Sequence, residues 1–336
     1  IELILLGIMI TITTLYVGEI SLRTKKPHQL PGYAQKYLGN KYKKLMLVVV
    51  TFGLYAALVA YLIGEGASIS QLITNSQAYA FPAGIIIWGI FTFIGYMGIK
   101  AFEEGEEFGV IAVIVLVSII AIMLWKSVEP ANLITIDKAN IFLPFGAIFF
   151  ALLGFTAIPE VREVIDKESK NLKKTIIRAY LTVFIIYVIF TLIVVGTQGT
   201  ATPEIATLAL GKPFILLGML TMFTAYLAHS LSITEIFRYD LRMSKKKAHF
   251  YTSIVPLTLF IILSLIEQTS FTKTIGIGGA LSGGLTAILV LLMIKNAKKK
   301  GDRKPEYSMH YSKPLIIILI ALFAIITIGT IVASLL

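Results

Sequence analysis

The sequence predicts an all-α protein that crosses a membrane many times. The chain has 336 residues, of which 57% are hydrophobic and 15% charged, and its mean hydropathy is +0.84. Soluble domains are usually about half apolar and about a quarter charged, and a soluble fold of this size still exposes roughly a quarter of its chain's surface to water. So much apolar surface therefore requires contact with lipid.

Ten apolar segments are long enough to cross a bilayer, because about 20 helical residues span roughly 30 Å of hydrocarbon. Short polar loops separate them, and only helices or closed barrels satisfy the backbone inside lipid. The predicted spans cover about residues 2–22, 45–69, 81–99, 108–125, 142–165, 175–196, 212–237, 249–266, 274–294 and 314–335. Together they predict one transmembrane domain over residues 1–336.

The positive charges are concentrated in alternate loops between these spans. Of the 30 Lys and Arg residues, 26 fall in the odd-numbered loops. Such residues favour the cytoplasmic side of a cell membrane, so these loops are predicted to be cytoplasmic and both ends of the chain to lie outside. Topology thus explains the net charge of +11; lipid is the expected surrounding, and nucleic-acid binding is not expected.

The sequence offers little for enzymatic or metal chemistry. It has no cysteine, and its four histidines lie far apart without HxxxH or HExxH spacing. A metal site is therefore not expected, and no cofactor is predicted. The acidic group at 103–107 lacks the partners that an active site would need, so an enzyme is not expected.

The fifth predicted span contains Gly154 and Pro159 at membrane depth. Proline removes a backbone donor and clashes with the carbonyl four residues earlier, here that of Phe155, while glycine tolerates irregular backbone. A break exposes backbone groups, which membranes accept only where these line a cavity, and transporters build substrate sites from such breaks. A proline-kinked helix repaired by its neighbours is the alternative.

Several segments resemble, in order, the helices of amino acid permeases. Residues 153–163 with 170–179 resemble the sixth helix and following loop of the amino acid–polyamine–organocation superfamily. Other segments are similar to the second, third, eighth and tenth helices of its amino acid/auxin permease branch; these are residues 15–23 with 32–39, 61–66, 224–232 and 275–284. The resemblance implies a LeuT-like inverted repeat of five plus five helices, with an eleventh appended.

This resemblance aligns the fifth predicted span with family helix six, so the ten spans would be family helices two to eleven. Family helix one, which carries the other half of the family's site, is then expected to be absent from this chain, in agreement with the charge pattern and with a chain that begins at Ile1. Because unsatisfied backbone in hydrocarbon costs several kcal/mol per group, the chain by itself is expected neither to fold stably nor to transport. A true ten-helix protein is the alternative.

The resemblance implies secondary active transport of an amino acid by alternating access, as a symporter coupled to protons or sodium ions. The residues predicted to bind the substrate are Leu153, Gly154, Phe155, Thr156, Tyr55 and Tyr61. Phe155 is the predicted aromatic gate. No residue of the break before Glu160 is charged, so the substrate is predicted to be neutral and apolar, since a charged one would need a buried counter-charge.

The residues predicted to take part in ion coupling are Thr224, Glu65 and His229. Sodium-coupled relatives have adjacent hydroxyls on family helix eight, where this chain has Thr224 followed by Ala225, so protons are slightly favoured. Some proton-coupled relatives carry a lysine on helix five, which residues 108–125 lack. The alternative function is an ion channel or a metal-ion transporter on the same scaffold, although divalent-metal relatives use Met and His in the broken helix and this break has neither.

Polar residues in the spans also have structural interpretations. Glu19 lies four residues before Arg23, which favours an ion pair on one helix. Glu65 could lie near the outer interface, and His229 could be a hydrogen-bonded interior residue. The glycines of residues 276–284 favour close helix packing over a nucleotide-binding loop, because no strand precedes them.

Overall fold

The computed structural model describes residues 2–26, 28–97, 100–134 and 140–335, and within them every regular element is a helix. The α-helices are α1 (Glu2–Leu22), α2 (Leu30–Leu38), α3 (Asn40–Thr74), α4 (Ala80–Met97), α5 (Lys100–Leu124), α6 (Leu143–Ala151), α7 (Ile158–Val164), α8 (Leu172–Gln198), α9 (Lys212–Glu235), α10 (Lys245–Leu265), α11 (Phe271–Lys300) and α12 (Lys313–Leu335). The predicted all-α class is confirmed.

Nine helical segments of the described chain are long and apolar enough to cross a membrane, with α6 and α7 counted as one. They match nine of the ten predicted spans. The remaining span, 108–125, lies in α5, where the apolar stretch found is the shorter Val113–Ser127. The side chains of residues 100–109 and 112, which include the acidic group at 103–107, lie outside the described residues. The helices agree with a multi-pass membrane protein.

Large apolar side chains are exposed along several of these helices. Ile86 of α4 is 65% exposed and Ile328 of α12 is 62% exposed. Helices of a soluble protein turn such residues inward, whereas a helix that is apolar on all sides is typical of a membrane span. We interpret these exposed faces as lipid-facing.

The chain forms two compact units. The first consists of Ile1–Gly53, Lys138–Ile185 and Gly276–Leu336, and the second of Leu54–Asp137 and Ile186–Ile275. In the first unit, α1 packs against α6 and α7, and α12 packs against α6. In the second unit, α9 packs against α4, α5 and α10. The single transmembrane domain over 1–336 stays a prediction.

Glycines bring α6 and α11 of the first unit into backbone contact. A Cβ added to Gly146 would overlap the backbone of Gly276, and one added to Gly279 would overlap the carbonyl oxygen of Gly146. A Cβ on Gly283 would lie 2.8 Å from Cδ1 of Phe149. Small residues allow membrane helices to approach this closely, so the close packing predicted for residues 276–284 is confirmed.

Candidate functional site

The fifth predicted span is broken into two helices. Helix α6 ends at Ala151, and α7 begins at Ile158. Between them, Leu152 to Gly154 leave the helical path, and Phe155–Ala157 form a single 3₁₀ turn. The predicted break is therefore present, and the helix is interrupted rather than only kinked at the proline.

The roles of the glycine and the proline differ from those predicted. Gly154 has φ −89° and ψ 1°, which other residues also adopt, so conformational freedom is not the reason for glycine. A Cβ at this position would instead lie 2.8 Å from the hydroxyl oxygen of Tyr180. Pro159 lies in the first turn of α7, where the absence of an N–H group does no harm.

Tyr180 of α8 satisfies a carbonyl group that the break releases. Its hydroxyl donates to the carbonyl oxygen of Leu152 at 3.1 Å and lies 2.8 Å from Oγ1 of Thr14 on α1. The Gly154 amide donates to the same carbonyl at 2.7 Å. Three elements of the first unit thus meet at the break.

The side chains of the break differ in exposure. Phe155, the predicted gate, is 1% exposed, and Phe149 is buried, with its ring centroid 5.8 Å from that of Phe323 on α12. Leu153, Gly154 and Thr156 are half-buried. Three residues around the irregular backbone are thus partly accessible, while Phe149 and Phe155 are buried.

The second unit contains the other predicted site residues. The ring centroids of Tyr61 and His229 lie 5.8 Å apart in an edge-to-face arrangement, so the structure brings these two together. Nδ1 of His229 lies 2.8 Å from the Ala225 carbonyl oxygen; a carbonyl only accepts, so Nδ1 donates. The hydroxyl of Thr224 donates to the Thr221 carbonyl at 3.0 Å, and that of Tyr55 to the Tyr251 carbonyl at 2.9 Å.

Glu65 lies in the C-terminal half of α3 and is buried, with 1% of its surface exposed. Its Oε1 atom has no hydrogen-bond partner among the described residues, and neither has Oγ of Ser68, one turn further along. Ser68 is fully buried as well. The alternative that Glu65 lies near the outer membrane interface stays a prediction, because burial within the protein does not measure depth in the membrane.

Glu19 of α1 is buried within a network of charges in the first unit. Its carboxylate accepts hydrogen bonds from Nε of Arg23 at 2.8 Å and from Nζ of Lys298 at 2.6 Å. The hydroxyl of Ser308 and the amide of Met309 also donate to it, at 3.0 Å and 2.7 Å. The ion pair predicted with Arg23 is confirmed, and Lys298 is added to it.

The loop between α11 and α12 lies against the end of α1. The Tyr307 hydroxyl donates to the Leu15 carbonyl at 2.7 Å, and burial raises the pKa of that hydroxyl. Arg162 of α7 donates to the Thr24 carbonyl at 2.9 Å. The C-terminal end of α1 is therefore held by two elements that are distant in sequence.

A comparison with known protein families assigns the chain to one of them. The sequence profile of the tryptophan/tyrosine permease family matches residues 1–207, which is more than half of the 336 residues. The chain belongs to the tryptophan/tyrosine permease family. Among curated proteins it is similar to the tyrosine-specific transport system 1 of Haemophilus influenzae, with 22% identity over 348 residues that cover 94% of this chain and 85% of the relative.

Membership of a permease family makes this chain an amino acid transporter and a multi-pass membrane protein, not an enzyme. The resemblance to amino acid permeases is confirmed at this level. Its assignment to the amino acid/auxin branch and the absence of family helix one stay predictions. The channel or metal-ion transporter that the sequence left open has no support from the family.

Sequence reasoning missed three residues that the structure places at the polar groups described here. Tyr180 and Lys298 are distant in sequence from Thr14 and Glu19, which they contact. Ser68 belongs to no recognisable motif. Ser68 is the exception in position, since it follows Glu65 by three residues and thus lies on the same helix face. That spacing was the one available signal.

Proposed function

We propose that this tryptophan/tyrosine permease transports an aromatic amino acid, tyrosine or tryptophan, across the cell membrane by secondary active transport. The observation that carries the proposal is the break between α6 and α7, which leaves irregular backbone inside a membrane span. Such backbone is tolerated at membrane depth only where protein or a polar cavity satisfies it. The family match and the name of the Haemophilus relative support the substrate class.

The substrate contacts assigned to the break are the backbone of Leu153, Gly154 and Phe155 and the hydroxyl of Thr156. A zwitterionic amino acid that leaves water must exchange its hydrogen bonds for equivalent ones in the protein. In transporters, the ends of broken helices direct backbone groups at the substrate for this purpose. Tyr55 and Tyr61, in the second unit, stay predictions as further substrate residues.

A neutral side chain on the substrate follows from the composition of the break. Residues 143–159 contain no charged side chain, and a charge without a counter-charge is costly to bury. Tyrosine and tryptophan are neutral and largely apolar, so they meet this requirement. Lysine and glutamate do not.

The transport is proposed to be coupled to a cation, with protons favoured over sodium ions. The hydroxyl of Thr224 is engaged with the Thr221 carbonyl, and Ala225 supplies no second hydroxyl. Glu65 and His229 are the ionisable candidates. The orientation proposed from the charges places the odd-numbered loops in the cytoplasm, facing the lipid headgroups of the inner leaflet.

The test is uptake of labelled tyrosine and tryptophan by the full-length protein in proteoliposomes. We expect saturable uptake that unlabelled tyrosine, tryptophan and phenylalanine inhibit more strongly than lysine or glutamate. Thr156→Val should raise the KM by about five- to tenfold, because a hydrogen bond contributes about 1–1.5 kcal/mol. Thr258→Val, on an exposed face of α10, is the matched control and should leave uptake unchanged. Stronger inhibition by lysine or glutamate would contradict the proposal.

A further inference from the structure

The second unit contains a buried carboxyl group that no structural interaction explains. Glu65 is 1% exposed and its Oε1 has no hydrogen-bond partner in the described ranges. None of the ion pairs found between described residues includes Glu65. A carboxylate buried without a partner destabilises a protein strongly, so such groups bind a proton or a cation instead.

The surroundings of this turn of α3 are closely packed and mostly apolar. A Cβ on Gly64 would lie 2.6 Å from the sulfur of Met222 on α9, and 3.1 Å from the ring of Phe271 on α11. On the opposite side, a Cβ on Gly66 would overlap the Ala80 carbonyl at the start of α4. The two residues that flank Glu65 are thus packed closely against α9, α11 and the start of α4.

Among the described residues, the ionisable groups on the helices around this turn of α3 supply no counter-charge for Glu65. On α3 and α8 these are the phenols of Tyr61 and Tyr187. On α9, His229 donates from Nδ1 to the Ala225 carbonyl. On α11, the Lys273 ammonium donates to Oε1 of Gln268 at 3.3 Å. A deprotonated Glu65 would thus have no described cation to pair with.

Ser68 adds a hydroxyl oxygen to the two carboxyl oxygens of Glu65 on the same face of α3. Residues three and four positions apart lie side by side on a helix, so Tyr61, Glu65 and Ser68 form one polar strip. The Ser68 hydroxyl is likewise buried and has no hydrogen-bond partner among the residues that the structure describes. The three side-chain oxygens of Glu65 and Ser68 are fewer than the six or more that hard metal cations collect, whereas a carboxyl group and a hydroxyl suffice for one proton.

We propose that Glu65, with Ser68 beside it, is the proton-binding site that couples amino acid transport to a proton gradient. This inference rests on the proposed function. A hydronium ion at the outer side protonates the carboxylate; one O–H bond forms and a water molecule is released. After the change of access, the same O–H bond breaks and water on the inner side accepts the proton, so that no other reactant is needed.

The experiment compares the full-length wild-type protein with Glu65→Gln in proteoliposomes. Three quantities are measured: tyrosine accumulation under an inward pH gradient, proton movement with a fluorescent pH indicator, and tyrosine counterflow at equal pH on both sides. The wild-type should accumulate tyrosine by up to about tenfold per pH unit of gradient, as one transported proton allows. Glu65→Gln should lose both the accumulation and the proton movement, and its counterflow should no longer depend on pH.

Glu129→Gln is the matched control, because Glu129 is exposed and belongs to no proposed site; it should behave as the wild-type. Glu65→Asp keeps the carboxyl group and should keep coupling with a displaced pH profile. If Glu65→Gln does not fold, an Asp variant whose pH profile is identical to that of the wild-type overturns the proposal. Ser68→Ala should shift the pH profile in the same experiment.

The outcomes separate this inference from the proposed function. A wild-type protein without tyrosine or tryptophan counterflow contradicts the function itself. A wild-type that shows counterflow, together with a Glu65→Gln variant that still accumulates tyrosine under a pH gradient, overturns only the proton site. Accumulation that follows a sodium gradient and not a pH gradient overturns it as well.

Discussion

Two buried glutamates, one in each unit, have opposite surroundings. Glu19 at the end of α1 is surrounded by donors, two of them the cations Arg23 and Lys298. Glu65 in α3 is buried to the same degree, yet its Oε1 has no partner in the described chain. Burial of a carboxyl group therefore does not reveal its role. The groups around it distinguish a structural ion pair from a site that takes up a proton.

Replacing Glu19 by Met should have the largest effect on stability. It leaves two cations without their carboxylate, and breaking a buried pair costs about 3–5 kcal/mol. Because Arg23 and Lys298 are partly exposed, we expect a loss of roughly 2–3 kcal/mol. The measurement is the Tm of the detergent-solubilised protein. Glu306→Gln, in the more exposed pair with Arg303, is the control. Equal Tm values for Glu19→Met and the wild-type would contradict the stabilising role of the Glu19 ion pairs.

A double-mutant cycle sharpens the role of Lys298. Glu19→Met and Lys298→Met should show a coupling energy of about 1–3 kcal/mol, since residues in one network are not additive. The same cycle with Lys300→Met, at an exposed position of α11, should show none. Tm values of the single and double variants give the result. Additive effects for Lys298 would mean that the ion pair contributes no stability.

The same substitution at Glu65 should have the opposite sign. Glu65→Met removes a buried carboxyl group whose Oε1 has no partner in the described part of the chain, and desolvation of such a group costs about 1–3 kcal/mol. We expect the Tm to rise, by an amount that corresponds to about 1–2 kcal/mol, while transport under a pH gradient is lost. Thermal unfolding and uptake are measured on the same preparations. A fall in Tm as large as that of Glu19→Met would show that Glu65 has a structural partner.

Tyr180→Phe tests a neutral polar group that does have partners. It removes the donor to the Leu152 carbonyl at the break, and a hydrogen bond contributes about 1 kcal/mol. The expected loss of stability thus lies between those for Glu19 and for exposed residues. Tyr251→Phe is the control, because Tyr251 is 45% exposed. Identical Tm values for Tyr180→Phe and Tyr251→Phe would contradict the role of Tyr180.

The exposed pair of Lys36 and Asp302 should have the smallest effect. The Lys36 ammonium, 2.6 Å away, holds the pKa of Asp302 below its ordinary value, so the stabilisation is present above that value and is lost as the pH falls through the lowered pKa. Because the carboxylate is exposed, Asp302→Asn should cost at most about 0.5 kcal/mol near neutral pH. The difference in Tm should shrink with added salt and vanish in acid. A larger difference that salt does not reduce would argue against a surface pair.

Local features of the sequence predicted the membrane spans well. The predicted segment 2–22 matches Glu2–Leu22, and 314–335 matches Lys313–Leu335 within one residue. The break in the fifth span was also predicted, although the reason for Gly154 is its proximity to Tyr180 rather than its backbone angles. Sequence could place the break but not the residue that packs against it.

The sequence by itself determined the helical class, the extent of most spans and the position of the break. These follow from short-range rules, because each membrane helix must satisfy its own backbone hydrogen bonds. The length of an apolar segment therefore indicates the length of the helix. Only the tertiary structure decided which polar groups find partners. Lys298 meets Glu19 across 279 positions of sequence, while Glu65, in another apolar helix, has no partner for its Oε1 among the described residues. Pairing depends on which helices pack together, and residue spacing within one helix carries no record of that.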